Sequence, residues 1–500
     1  MRYQSIRGRA AVGGVGILTV LGLLPMVVGP ASAGPTNPTV GEAVTHALVA
    51  ASGSVATADD STATGCMTSN PQPLAYRNDR VVLSTWMDET TAADTVRLAL
   101  HDIGAPAAIT GTETIAMNDI HGAEDVAPIV SVSFRSLSGE PVPIVRLTRH
   151  LRLDGFPSSP DYLLSQSSGP SEFWPNGGPK PTTTPAPGRD PAIGSGITIF
   201  LYDTGLPPFA DANIPPNVSR LTLADDETPD ARAPFGVVDL GSVGHTTAIA
   251  GVINTVAPGA IVEAARITDN TGVATDVSAA RRMANTLRQA DAAQSWPGVI
   301  VNAFGSPACD GGPGLPGVEM APLGLEMVAE AVDKHDEALV VASAGNRSSS
   351  RRFYPAAFPS VVSIGALDAM RDTGNVSAWT SLSRTAPKAA FSNYGGWVKG
   401  WMPGVNLATT HVKGYRFEVN GPVIDGLALV EGSSFSAPIA GGLIAELMAA
   451  HGWSANQAWE ELRGSGVTCS SAIGSGVALA LTSLNSTATT PPVAAAPVEC

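Results

Sequence analysis

The chain has 500 residues, 44% of them hydrophobic and 15% charged, too many for one hydrophobic core and too apolar a mixture for a disordered polypeptide. Its formal net charge of −15 argues against nucleic acid as a partner. The four cysteines, Cys66, Cys309, Cys469 and Cys500, form no CxxC pair and have no clustered histidines beside them, so neither a zinc site nor a cysteine nucleophile is expected, and three disulfide pairings stay open.

At the N-terminus Arg2, Arg7 and Arg9 precede an apolar stretch over 10–28 and the small-residue site Ala31-Ser32-Ala33, which predicts a secretory signal peptide over 1–33. Its removal takes away three arginines and no acid, moving the net charge from −15 to −18. No later segment is long and apolar enough to span a bilayer, so the mature chain is expected to be secreted, without stable membrane insertion, into surroundings where disulfides persist. Residues 34–79, rich in Ala, Thr, Ser, Gly and Pro, read as a flexible arm. A strand-like run at 81–83, helical spacing over 92–103, alternation over 129–134 and a second helical run over 144–153 predict an α+β module over 80–167.

A Pro/Gly-rich linker follows over 168–194. Between 195 and 483, uninterrupted apolar runs at 197–202, 261–267, 299–304 and 339–344 alternate with helical ones at 245–256, 277–292 and 323–332. Strands apolar on both faces and separated by helices predict an α/β domain with a mainly parallel sheet, whose functional groups gather at the strands' carboxyl ends. The Thr/Pro/Ala-rich residues 484–500 read as a flexible tail.

Three segments place a reactive side chain between an apolar run and a turn or helix. Asp203 ends the buried run Ile197-Thr198-Ile199-Phe200-Leu201-Tyr202, where an Asx turn is the bland explanation. His245 opens the helical run Thr246-Thr247-Ala248-Ile249-Ala250-Gly251, and a lone histidine there is more often an ordinary polar residue. Ser434 lies in Gly432-Ser433-Ser434-Phe435-Ser436-Ala437-Pro438, a small-residue turn entering a helix, where serines also serve as caps.

Taken together, in the order Asp, His, Ser, these segments resemble the subtilisin-like serine peptidase family. Gly432, Ser434, Ala437, Pro438, Ala440 and Gly441 match its serine motif, and His245, Thr247, Ala250 and Gly251 its histidine motif. Thr246 and Ala248 depart from the latter, and Thr246, standing where the family has Gly, has the bulk to crowd the imidazole or its substrate side. Leu339-Val340-Val341-Ala342-Ser343-Ala344-Gly345-Asn346 resembles the strand whose terminal Asn enters the oxyanion hole; the sequon Asn346-Arg347-Ser348 is discounted because a glycan would block that site. Tyr354-Pro355-Ala356 and Phe391-Ser392-Asn393-Tyr394-Gly395 also resemble stretches of relatives.

The resemblance implies a subtilisin-like three-layer fold and a secreted endopeptidase with Asp203, His245 and Ser434 as catalytic triad, Asn346 in the oxyanion hole and polypeptides as substrates. Ala303, Phe304 and Gly305 would pair with substrate backbone, with Ala303 where relatives commonly have Ser. Ser343, Ala344 and Gly345, with Ala342, would line a roomy pocket for a large apolar residue before the cut. The 80–167 module would be a ferredoxin-like propeptide that inhibits the site, Ser159 to Ser165 being the segment laid into the cleft; an accessory domain that is never removed is the alternative. No cofactor is expected, and calcium, common in relatives, has no assignable ligands here. Two other classes compete: a catalytically silent scaffold of the same fold, which retention of all four site residues disfavours, and an α/β-hydrolase, which would need Ser before Asp before His.

Overall fold

The computed structural model describes residues 74–165, 178–206, 213–221, 242–268, 272–368, 387–416 and 421–465, except 313 and 336, with 55–57, 175, 467–468 and 477–478 as short further pieces. All fall within one compact unit, Val40–Cys500. The signal peptide, most of the arm, the start of the linker, the tail and Cys66, Cys469 and Cys500 lie outside the described residues.

The first layer of structure is β1 (Ala75–Ser84), α1 (Glu89–Asp102), β2 (Ala107–Ile115), β3 (Ile129–Ser136), α2 (Ile144–Leu153) and β4 (Ser158–Ser165). These strands form an antiparallel sheet in the order β4-β1-β3-β2, the arrangement of a ferredoxin-like βαββαβ module. Asp88 caps α1 by accepting from Thr91 N at 2.8 Å. The module begins earlier than the sequence suggests: β1 starts at Ala75, inside the span 34–79 read as flexible, because Tyr76 is buried against Tyr162 of β4 and the edge pairing extends with it.

The second part is built from β5 (Thr198–Asp203), α3 (His245–Val256), β6 (Ile261–Arg266), β7 (Val273–Thr275), α4 (Asp276–Ala292), β8 (Val299–Asn302), α5 (Leu323–Lys334), β9 (Leu339–Ser343), β10 (Val362–Leu367), β11 (Gly400–Pro403), the hairpin β12 (Leu407–Tyr415) and β13 (Ile424–Val430), α6 (Ser433–His451) and α7 (Ala455–Ser465). The central sheet runs β11-β10-β9-β8-β5-β6, all parallel, extended beyond β6 by the parallel strand Val218–Arg220. Ile199, Leu201, Val299, Val301 and Val341 face α3 and α6, while Phe200, Tyr202, Ile300 and Val340 join the layer of α4 and α5. Burial on both faces is why these strands read as continuous apolar runs. Residues 178–194 are not an exposed linker throughout: Lys180–Pro181 pairs with β13, and Arg189 forms two hydrogen bonds to Glu446 at 2.9 Å.

The two parts share one core, because α4 and α5 pack against the module's sheet. Two buried carboxyls mark the seam. Asp161 of β4 accepts from Val277 N, in the first turn of α4, at 3.0 Å, with Arg80 at 3.4 Å. Asp276 accepts from Gly324 N and Leu325 N, at the start of α5, at 2.7 and 2.9 Å. Burial pushes Asp161 up from an ordinary 3.8 to about 6, and burial followed by the neighbouring Asp161 pushes Asp276 up to about 8. A carboxyl raised on folding contributes stability that is full below 3.8 and lost as pH rises through its folded value. The melting temperature of the Ser434→Ala chain should therefore fall between about pH 5 and about pH 8.5, and Asp276→Asn should make that fall shallower; equal slopes in a calorimetric pH series would contradict it.

Candidate active site

Asp203 is the last residue of β5 and is fully buried. A parallel strand ends there because the backbone must turn, and the turn supplies donors: Thr204 N and Thr204 Oγ1 reach Asp203 Oδ1 at 2.8 and 3.1 Å. His245 is the first residue of α3, preceded by Gly244 in the left-handed conformation at φ 83°, where a side chain would also run into His411. The imidazole Nδ1 lies 2.9 and 3.0 Å from the two carboxylate oxygens of Asp203. That contact makes Nδ1 the protonated nitrogen and leaves Nε2 as the base.

Thr246 does not do what its bulk suggests. Its hydroxyl meets Asp203 Oδ1 at 3.0 Å and accepts from Gly205 N at 3.0 Å, so the side chain is spent on the carboxylate and its turn.

Ser434 occupies the first turn of α6, entered through Gly432 at φ 143°, and is 1% exposed. The next residue, Phe435, sets its ring edge-on to His245 with centroids 5.3 Å apart, so the starts of α3 and α6 converge. Asn346, three residues past the end of β9, is fixed by Ser433: its Oδ1 accepts from Ser433 N and Ser433 Oγ, both at 2.8 Å. With the oxygen so occupied, Nδ2 is the end left to donate, and it lies on the Gly432 side. Ser433 Oγ in turn accepts from Gly345 N at 3.0 Å. Asn393 holds the same turn, accepting from Arg347 N and Ser349 N and donating to Ala344 O at 2.8 Å. Reading the sequence singles out neither Ser433 nor the support given by Asn393; both sit in matched motifs, but their partners appear only once the strands are assembled.

Ala303, Phe304 and Gly305 follow β8, and Ser343 ends β9, the adjacent strand, with Ala344 and Gly345 just beyond it, so the two candidate binding segments are neighbours. The buried Phe353 ring lies between them, 2.7 Å from where a Cβ on Gly305 would sit and 3.3 Å from one on Gly345. The glycines Gly305 and Gly345 leave room for the Phe353 ring.

Gly305 is also where the module arrives. Ser165, the last residue of β4, pairs with it antiparallel through Ser165 N to Gly305 O at 2.9 Å and Gly305 N to Ser165 O at 2.8 Å. On its other edge β4 pairs with β7, so Leu163 to Ser165 form the middle strand of a three-stranded patch. Cys309, just beyond, is disulfide-bonded to a partner outside the described residues. No group of three or more His, Cys, Asp or Glu side chains among the described residues is arranged to hold a metal.

A carboxylate at the end of a parallel strand, with a histidine and a serine, in that chain order, at two converging helix starts, is the arrangement of a subtilisin-like α/β protein. The model of the Subtilase family matches residues 194–481, and the chain belongs to that family. A thermophilic serine proteinase of Bacillus sp. (strain AK1) is 34% identical over 114 residues, 23% of this chain and 22% of the relative, so the match spans about a fifth of that protein. Among solved structures, fervidolysin from Fervidobacterium pennivorans, a keratinolytic enzyme related to subtilisin, has a TM-score of 0.51 at 18% identity over 84% of this chain and 62% of its own. A cold-adapted subtilisin-like serine proteinase aligns at a TM-score of 0.40 and 18% identity, over 58% and 90% of the two chains.

Proposed function

We propose that the chain is a secreted serine endopeptidase made in latent form. The observation that carries this reading is the buried Asp203–His245 pair, at 2.9 Å, beside the Ser434 helix start. In the reaction His245 Nε2 takes the Ser434 hydroxyl proton as the oxygen attacks the scissile carbonyl, then returns it to the leaving amine. Water repeats the sequence to release the acyl group from Ser434. Asp203 holds the Nδ1–H tautomer and stabilises the imidazolium. Asn346 Nδ2 and the Ser434 backbone N–H, at the positive end of α6, donate to the oxyanion. Polypeptide substrate would add an antiparallel strand along Ala303 to Gly305, as Ser165 does in the full chain.

The 75–165 module acts on this reading as an intramolecular inhibitor: β4 occupies the substrate edge at Gly305, and His245 and Ser434 are buried beneath the full chain. Phe353 restricts the residue before the cut to a small side chain, in place of the large one that the row of small residues suggests.

Turnover of an unfolded protein by the processed enzyme, abolished by Ser434→Ala, is the expected result; turnover that persists in the variant, or a folded, processed protein with none, would favour a silent scaffold. On a peptide library the parent should cut after Ala, Ser or Gly. Phe353→Ala should raise kcat/KM for a large apolar residue at that position by roughly tenfold or more relative to Ala. Unchanged selectivity would remove Phe353 from the pocket.

A further inference from the structure

We infer that Thr246 is a positioning residue for the catalytic pair, a hydroxyl donor that fixes the Asp203 carboxylate against His245; the inference rests on the proposed peptidase reading. Thr246 Oγ1 has one proton and two lone pairs. Gly205 N is 3.0 Å away and can only donate, so one lone pair is committed to it. The remaining neighbours are Asp203 Oδ1 and Thr204 Oγ1, each at 3.0 Å. A carboxylate oxygen only accepts, whereas Thr204 Oγ1 can turn its own proton either to Asp203, 3.1 Å away, or to Thr246. The arrangement that satisfies the buried carboxylate best therefore sends the Thr246 proton to Asp203 Oδ1.

The placement gives that bond a use. Thr246 follows His245 directly at the start of α3, and all three groups are fully buried. The hydroxyl ties the helix start that carries the imidazole to the strand end that carries the carboxylate, with Gly205 N holding it from the turn. A buried charge-assisted hydrogen bond is strong and directional, so the carboxylate cannot swing away from Nδ1 without breaking it. A glycine at position 246 has no such tie from the helix start to the carboxylate.

Three variants separate this from simple packing. Thr246→Val keeps the shape and removes the donor, Thr246→Ser keeps the donor, and Thr246→Gly removes both. With the donor gone, the carboxylate is a stronger partner for the imidazolium, so the acid limb of kcat/KM should move to higher pH by about half a unit. At the plateau kcat should fall by roughly tenfold in Thr246→Val. Thr246→Ser should restore both, and Thr246→Gly should show the same shift of the limb as Thr246→Val. In parallel, the low-field proton resonance of His245 Nδ1–H, read in the Ser434→Ala chain, should shift in Thr246→Val and return in Thr246→Ser. A change in melting temperature alone, with limb and resonance unmoved, would make Thr246 a packing residue and overturn the inference. If the parent shows no turnover, the peptidase reading fails, and the resonance still decides the role of Thr246.

Discussion

A carboxylate taken wholly out of water is tolerated only where donors meet it, and Asp203 is such a group. Its place at the end of β5 makes the solution economical, because a turning backbone offers N–H groups where a continuing strand would not. Thr204, Thr246 and His245 complete the set, and two of these belong to α3, so satisfying the carboxylate also fixes the angle at which that helix begins. The imidazole is thus aimed by the need to bury Asp203, and the rest of the site is arranged around that aim.

Opposite α3, the start of α6 solves a related problem. Its first N–H groups lack helical partners, and Asn346 Oδ1 accepts one of them from Ser433. This single bond stabilises the helix end, orients the amide of Asn346 and places Ser434 one residue further into the turn. On the proposed peptidase reading the same bond is also preparatory, since it would set donors for a developing oxyanion before substrate arrives. Elsewhere in the site, Phe353 lies between Gly305 and Gly345, and Ser165 of β4 pairs with Gly305.

On the proposed reading, the seam between the module and the sheet's helices is what would keep the site latent. Asp161 and Ser159 of β4 meet the first N–H groups of α4 and α5, at Val277 and Leu323, so the module is held by helix ends as well as by apolar surface. The Tyr162 hydroxyl adds a bond to Met320 O and receives Cys309 N. These contacts lead the strand to Ser165, on the substrate edge.

Much of this was legible beforehand, for a physical reason. Buried parallel strands are apolar throughout, so 197–202, 299–304 and 339–344 announced themselves, and the catalytic candidates stood at their ends or at helix starts. What stayed hidden depends on residues far apart in the chain meeting in space. Phe353 lies against Gly305 and Gly345, some fifty and eight residues upstream of it, a relation no local pattern encodes. Thr246 looked like an obstruction because its size was visible and its rotamer was not. Tyr76 seemed part of an arm because the strand it pairs with begins more than eighty residues later.

The most direct measurement is covalent labelling of the folded protein with a fluorophosphonate after the segment beyond Ser165 has been cut, followed by peptide mass mapping. The account predicts one adduct, on Ser434, formed slowly in the uncut chain and lost in His245→Ala. A folded, cut protein in which Ser434 stays unmodified would contradict it.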